Sequence, residues 1–202
     1  MDKTTNLKLI RERINASEIG TVYVAVDFVD ISDKTNINAY LARLVEEGLI
    51  RRVLRGVYDK PEYNDFLGEY VAPDPNKVAY ALARNFGWTI VPSGDTALNL
   101  LGLSTQVPAT WIYVSDGQYK EYVYDNTTIR FKRTTNKEVS KLSYKTVLTV
   151  QALKALGREK IDDTVIGRLR ALLTAEEKQT MLEEAMATTS WVYECIKRIC
   201  RS

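Results

Sequence analysis

The sequence predicts an α+β fold with two parts. An N-terminal helical segment closes with a small β-hairpin, and a mixed α/β region with a three-stranded antiparallel segment and a helical C-terminus follows. Leu7, Ile10 and Ile14, and again Ile37, Leu41 and Leu44, recur at helical spacing, which gathers each set on one helix face. Residues 49–53 and 57–59 alternate like strands around Leu54-Arg55-Gly56. Past Thr110, strand-like runs precede a tail that carries only helix signals.

The first helix covers roughly residues 5–15 and stops before Gly20. Val22-Tyr23-Val24 is a short β-branched strand, and Asp27 is expected to cap a brief helix over 27–31. After the polar turn 32–36 a longer helix runs to about Glu47. Its inward stripe is Ile37, Tyr40 or Leu41, Leu44 and Val45, with Gly48 where a helix-ending glycine belongs. Three helices followed by a two-stranded hairpin is the order of a winged helix-turn-helix, assigned here to residues 1–60.

Pro61, Gly68 and Pro73 make residues 61–74 an expected linker, leaving 75–202 as a second domain. There Asp74-Pro75 pairs an N-cap with a first-turn proline and opens a helix to about Phe86. Residues 88–91 are an expected strand, and Ser93 an expected cap for a helix over 95–101. Strands are expected over 110–114, 119–124 and 129–133, with Asp116-Gly117 and Asp125-Asn126 as hairpin turns between them. From about Ser143 the chain reads as helical, with Asp162 and the capping-box pattern Thr174-Ala175-Glu176-Glu177 starting two of the helices.

Composition narrows the function. At 45% hydrophobic and 27% charged, 202 residues hold one large globular domain or two small ones. No apolar run reaches the roughly 18 to 20 residues of a membrane span, and the first six residues lack a signal-peptide pattern, so the expected location is cytoplasmic. Without histidine there is no Ser-His-Asp or Cys-His nucleophile and no histidine metal site. Cys195 and Cys200, five apart on a helix, point about 140° apart and are expected to pack rather than to bond. The chain is therefore read as non-enzymatic, with no cofactor and no metal. Residues 117–160 carry ten basic and four acidic side chains, beside an acidic 61–116. That suits either an anionic partner or solvated strand faces.

The candidate site follows from what duplex DNA requires. A recognition helix needs short hydrogen-bonding residues outward, and Thr35, Asn36, Asn38, Ala39 and Arg43 face out if Ile37, Leu41 and Leu44 face in. Asparagine pairs bidentately with adenine and arginine with guanine. Lys34 at the helix start and Arg51, Arg52 and Arg55 in the hairpin supply cations for phosphates, which position a protein without reading sequence. Each residue alone is also consistent with a solvated surface, and the three arginines with guarding of an edge strand.

Two longer runs carry a resemblance. Gly48-Leu49-Ile50-Arg51-Arg52-Val53-Leu54-Arg55-Gly56-Val57-Tyr58 resembles the end of the winged-helix domain of AbiEi-type antitoxins. The run from Pro92-Ser93-Gly94-Asp95 through Leu103-Ser104-Thr105-Gln106 to Pro108 resembles a second signature of that family, the match covering roughly residues 7–135. The resemblance implies the antitoxin of a type IV toxin–antitoxin system. The winged domain would repress its own promoter at inverted repeats, and the following domain would oppose a nucleotidyltransferase-like toxin, directly or functionally. DNA contact carries over only to the 34–43 helix and the hairpin arginines. Ser104-Thr105-Gln106 is a contact surface or a turn closed by its own side chains.

Two other functions compete. Asp116, Glu121 and Asp125 near strand ends would suit a metal-dependent nucleic-acid enzyme, although hairpin turns explain two of them. Tyr119, Tyr122 and Tyr124 beside the basic 129–133 strand would suit an RNA- or protein-binding module, although strand tyrosines commonly pack within a sheet.

Overall fold

The computed structural model describes residues 3–134 and 142–201, an α+β chain that divides into two compact units after Trp88.

In the first unit, α1 (Lys3–Ala16) buries Leu7, Ile10 and Ile14. Its C-terminal end is held by Lys60, whose Nζ donates to the carbonyls of Ile14, Asn15 and Ser17 at 3.0, 2.9 and 2.7 Å. A cation on the terminal carbonyls is favoured at that end of a helix. Strand β1 (Val22–Val24) leads into a 3₁₀ turn, Ala25–Phe28. Asp27 lies inside this turn rather than in front of it. Its carboxylate accepts the Val24 amide at 2.9 Å, so it steadies the start of the turn from within.

Helix α2 (Lys34–Glu46) begins at Asp33, whose carboxylate accepts the Asn36 amide. It buries Ile37, Tyr40, Leu41 and Leu44, with Val45 only partly covered. Gly48, at φ +73°, turns the chain so that the Leu49 amide bonds back to the Leu44 carbonyl at 3.0 Å. Strands β2 (Arg51–Leu54) and β3 (Val57–Asp59) join β1 in an antiparallel sheet of order β1-β3-β2. The core under this sheet is Ile10, Ile14, Phe28, Ile37, Leu41, Leu44, Ile50 and Tyr58. Truncating a residue such as Leu44 to alanine would cost about 2–5 kcal/mol.

The sequence reads residues 61–74 as a linker. They contain a two-stranded hairpin, β4 (Tyr63–Asn64) and β5 (Glu69–Tyr70), with Tyr63 edge-on to Tyr70 at 5.1 Å. Helix α3 (Pro75–Phe86) starts as expected, with Asp74 accepting the Asn76 amide, but it belongs to the first unit. It packs on β1, β3 and the 3₁₀ turn through an apolar face that includes Val78, Ala79 and Leu82. Arg84 fastens its last turn, donating to both Asp27 carboxylate oxygens at 2.9 and 3.1 Å and to the Val22 carbonyl at 3.1 Å. With this packing, α3 belongs with residues 1–74, and the division falls after Trp88 rather than within 61–74.

The second unit opens with β6 (Ile90–Pro92) and α4 (Asp95–Leu100). Ser93 does not cap α4, whose N-cap is Gly94; the hydroxyl donates instead to Gln151 Oε1 at 2.9 Å. Strands β7 (Thr110–Ser115), β8 (Lys120–Tyr124) and β9 (Thr127–Arg133) complete a four-stranded sheet of order β6-β7-β9-β8. The expected three-stranded antiparallel segment is thereby corrected: β9 lies between β7 and β8 and runs parallel to β7. Burial explains the order. Ile129 and Phe131 of β9 are fully buried and take the interior position, whereas β8 exposes Lys120, Glu121 and Val123 and takes the edge. Asp125-Asn126 is a hairpin turn; Asp116-Gly117 instead starts a loop that passes β9 to reach the edge.

The helical C-terminus consists of α5 (Tyr144–Leu156), α6 (Asp163–Ala171), α7 (Ala175–Glu184) and α8 (Ser190–Cys200). Asp162 caps α6, and Thr174 with Glu177 forms the expected capping box on α7. Leu148, Leu153, Ile166, Leu169, Met181 and Ile196 meet in one core with Val91 and Ala97. Cys195 is buried and Cys200 partly covered, both as free thiols whose pKa burial raises. Among the described residues, no helix is long and apolar enough to cross a membrane.

Candidate nucleic-acid interface

The inward stripe of α2 sets its outward face. With Ile37, Leu41 and Leu44 buried, Lys34, Thr35, Asn38 and Ala39 stand exposed along one side, and Asn36 is half-covered. Asn36 is already engaged: its amide nitrogen donates to Asp33 Oδ2 at 2.5 Å while its backbone N–H reaches Asp33 Oδ1 at 3.0 Å. The backbone bond from Asn36 holds the Asp33 carboxyl below the usual carboxylate range; burial opposes it, and the Asn36 side-chain bond adds to the lowering. Arg43 is exposed but donates to Glu47 at 3.1 Å, and Glu47 also receives Arg11 at 2.6 Å.

The three hairpin arginines divide. Arg51 grips Asp59 with two bonds of 3.1 and 2.6 Å and the Val71 carbonyl with a third of 3.0 Å. Asp59 is 1% exposed, so Arg51 is the counter-ion of a buried carboxylate and is held in the sheet. Arg52 lies over the Tyr58 ring, 5.6 Å from its centre, and donates weakly to the phenol oxygen at 3.4 Å. Arg55 stands exposed at the turn, where Gly56 at φ +78° lets the hairpin close, and forms no ion pair among the described residues.

Arg52 and Arg55 share a cleft of about 370 Å³ with Lys34 and Asn38 of α2, Tyr58 of β3 and Asn85 of α3. Among the described residues no carboxylate lines it. The side chains of Lys34, Asn38, Arg55 and Asn85 have no intramolecular polar partner among the described residues. Three cations around a concave surface repel one another and concentrate anions, so the site is electrostatically unsaturated.

The cleft thus gathers Lys34, Asn38, Arg52 and Arg55 from the sequence-derived set. Thr35 and Ala39 lie along the adjoining helix face, while Arg43, Arg51 and Asn36 are committed to Glu47, Asp59 and Asp33. Sequence reasoning missed Tyr58 and Asn85. Tyr58 was findable, because it pairs across the sheet with Arg52. Asn85 had no local signal; only the packing of α3 brings it near the hairpin.

The residues of the competing functions occupy structural positions. Asp116 accepts the Thr89 amide at 2.8 Å, Glu121 pairs with Arg130 at 2.7 Å, and Asp125 sits in the β8–β9 turn at φ 45°. The Glu121 bond raises the Arg130 pKa. Among the described residues no three acidic, cysteine or histidine side chains are close enough to hold a metal ion. Tyr124 is buried, Tyr122 packs edge-on to Phe131, and Tyr119 is exposed, so the three tyrosines form no shared platform. Of the basic stretch 117–160, residues 135–141 lie outside the described residues. Within 104–106, the Gln106 amide donates to Ser104 Oγ at 3.2 Å, and Asn99 donates to the Gln106 carbonyl at 3.0 Å. Both bonds close that turn.

Fold and surface together define an α+β protein with an unsaturated basic cleft in its first unit. A family of unknown function, DUF6088, matches residues 9–181, and the chain belongs to that family. No curated protein matches it.

Proposed function

We propose that the first unit is a winged helix-turn-helix and that the protein is a non-enzymatic, DNA-binding transcriptional regulator. In this reading α2 enters the major groove and the β2–β3 hairpin is the wing. The observation that carries the proposal is the convergence of Lys34, Arg52 and Arg55 on a cleft without a carboxylate, continuous with the exposed Thr35, Asn38 and Ala39. The cations hold phosphates and set the register, and Asn38 reads a base edge. Arg51 is left out of the contact set, because withdrawing it would strand the buried Asp59.

The resemblance of the 48–58 and 92–108 runs to AbiEi-type antitoxins extends the proposal to promoter inverted repeats as target and, for the second unit, to opposition of a nucleotidyltransferase-like toxin. The DNA claim stands on the cleft alone and is tested alone. The full chain should bind duplex DNA with an affinity that falls steeply as salt rises. From a pool of random duplexes it should enrich a motif for which Asn38→Ala loses about 1–3 kcal/mol of discrimination while keeping its affinity for random sequence. Absence of salt-dependent binding to duplex DNA would reject the proposal.

A further inference from the structure

Asn85 lies on α3, thirty residues beyond the hairpin turn at Arg55, yet it lines the same cleft as Lys34, Arg52 and Arg55. Its neighbour Arg84 fixes it there through the bonds to Asp27 and the Val22 carbonyl, which tie the last turn of α3 to β1 and the 3₁₀ turn. Two of the carbonyls ending that helix are already engaged: the Gly87 amide bonds Arg84 O at 3.2 Å and the Trp88 amide bonds Ala83 O at 2.9 Å. The Asn85 amide has no intramolecular partner among the described residues, so nothing opposes turning its NH₂ into the cleft. A phosphodiester is an acceptor only, and beside three cations it requires donors to fill its remaining lone pairs.

We infer that Asn85 donates to the backbone phosphate held by Lys34, Arg52 and Arg55, so that the DNA-contacting surface includes the last turn of α3. This rests on the DNA-binding proposal above and adds to it a contact that no winged segment ending at residue 60 would contain. A wing and a recognition helix alone grip the backbone from two sides; Asn85 closes a third.

The test uses the full chain and a short duplex of random sequence at low salt, where non-specific binding is measurable. Asn85→Asp keeps the shape, removes the donor and adds a negative charge; Asn15→Asp makes the same charge change on exposed α1, outside the cleft. Asn85→Asp should weaken binding about tenfold, as expected for losing a charge-assisted bond, with Asn15→Asp near the unchanged protein. Asn85→Lys should tighten binding and steepen the salt slope by about 0.9, the value of one added phosphate contact. The lysine variant also decides the matter if circular dichroism shows that Asn85→Asp does not fold. Equal binding by Asn85→Asp and Asn15→Asp, or no gain from Asn85→Lys, overturns the inference while the unchanged protein still binds. Failure of the unchanged protein to bind any duplex would instead reject the DNA-binding proposal itself.

Discussion

Two groups of cations in the first unit differ in what they face. Arg11, Arg13, Arg51 and Arg84 each meet a carboxylate: Glu47, Asp30, Asp59 and Asp27. Lys34, Arg52 and Arg55 meet none among the described residues and converge on one cleft. Both groups lie in a unit whose charges nearly cancel, twelve basic against thirteen acidic over residues 1–88. Net charge therefore hides the interface, and pairing reveals it. An arginine satisfied within the fold contributes to stability, whereas an arginine left unsatisfied beside two other cations is available to an anion from outside.

The largest expected effect follows from α3. A fragment of residues 1–88 should fold cooperatively and bind duplex DNA, while one of residues 1–60 lacks the helix that covers β1 and should show neither a cooperative thermal transition nor binding. A folded, DNA-binding 1–60 fragment would return the boundary to the 61–74 segment.

Arg51→Ala should come next, with a loss of roughly 2–3 kcal/mol in unfolding free energy, because it leaves a buried carboxylate without its counter-ion. Arg51 is itself partly exposed, which keeps this estimate below that for a fully buried pair. Once corrected for the folded fraction, the salt slope of DNA binding should not change. A slope reduced by about 0.9 would mean that Arg51 leaves Asp59 for phosphate and would blur the division between the two groups.

Asp33 gives the smallest effect. Asparagine caps a helix as well as aspartate, so Asp33→Asn should leave α2 formed and, by removing a negative charge beside Lys34, tighten DNA binding by a few-fold. Because the Asn36 bonds lower the Asp33 pKa in the folded state, the ionised cap contributes stability above the unfolded pKa. That contribution is lost as pH falls through the lowered folded-state value, and this acid-side loss should be absent in the variant. Weaker binding at neutral pH would show that Asp33 itself takes part in recognition.

Local periodicity made much of the fold legible. The stripes of α1 and α2, the glycine after α2 and the caps of α3, α6 and α7 all depend on neighbours within a few residues. Strand order did not, because placing β9 between β7 and β8 depends on which strand is most buried, a property of the assembled sheet. Likewise, the sequence offered nine candidate DNA contacts, but spacing cannot show that Asn36 bonds Asp33, Arg43 bonds Glu47 or Arg51 bonds Asp59. Ser93 misled for a related reason: its hydroxyl has a partner on α5, Gln151, that outcompetes the local cap. Asn85 was invisible because its role arises only when α3 packs on β1.

The most direct test sets the two groups of cations against each other with equal loss of charge. Arg52→Ala with Arg55→Ala, and Arg11→Ala with Arg13→Ala, each remove two positive charges from the same unit. Binding of each full-length variant to one duplex should be titrated across salt concentrations. The cleft pair should lower the log–log slope by about 1.8, from two lost phosphate contacts, and weaken binding at every salt concentration. The α1 pair should lose some stability and keep the slope of the unchanged protein. Equal slopes for the two variants would contradict the claim that unpaired cations, rather than total charge, define the interface.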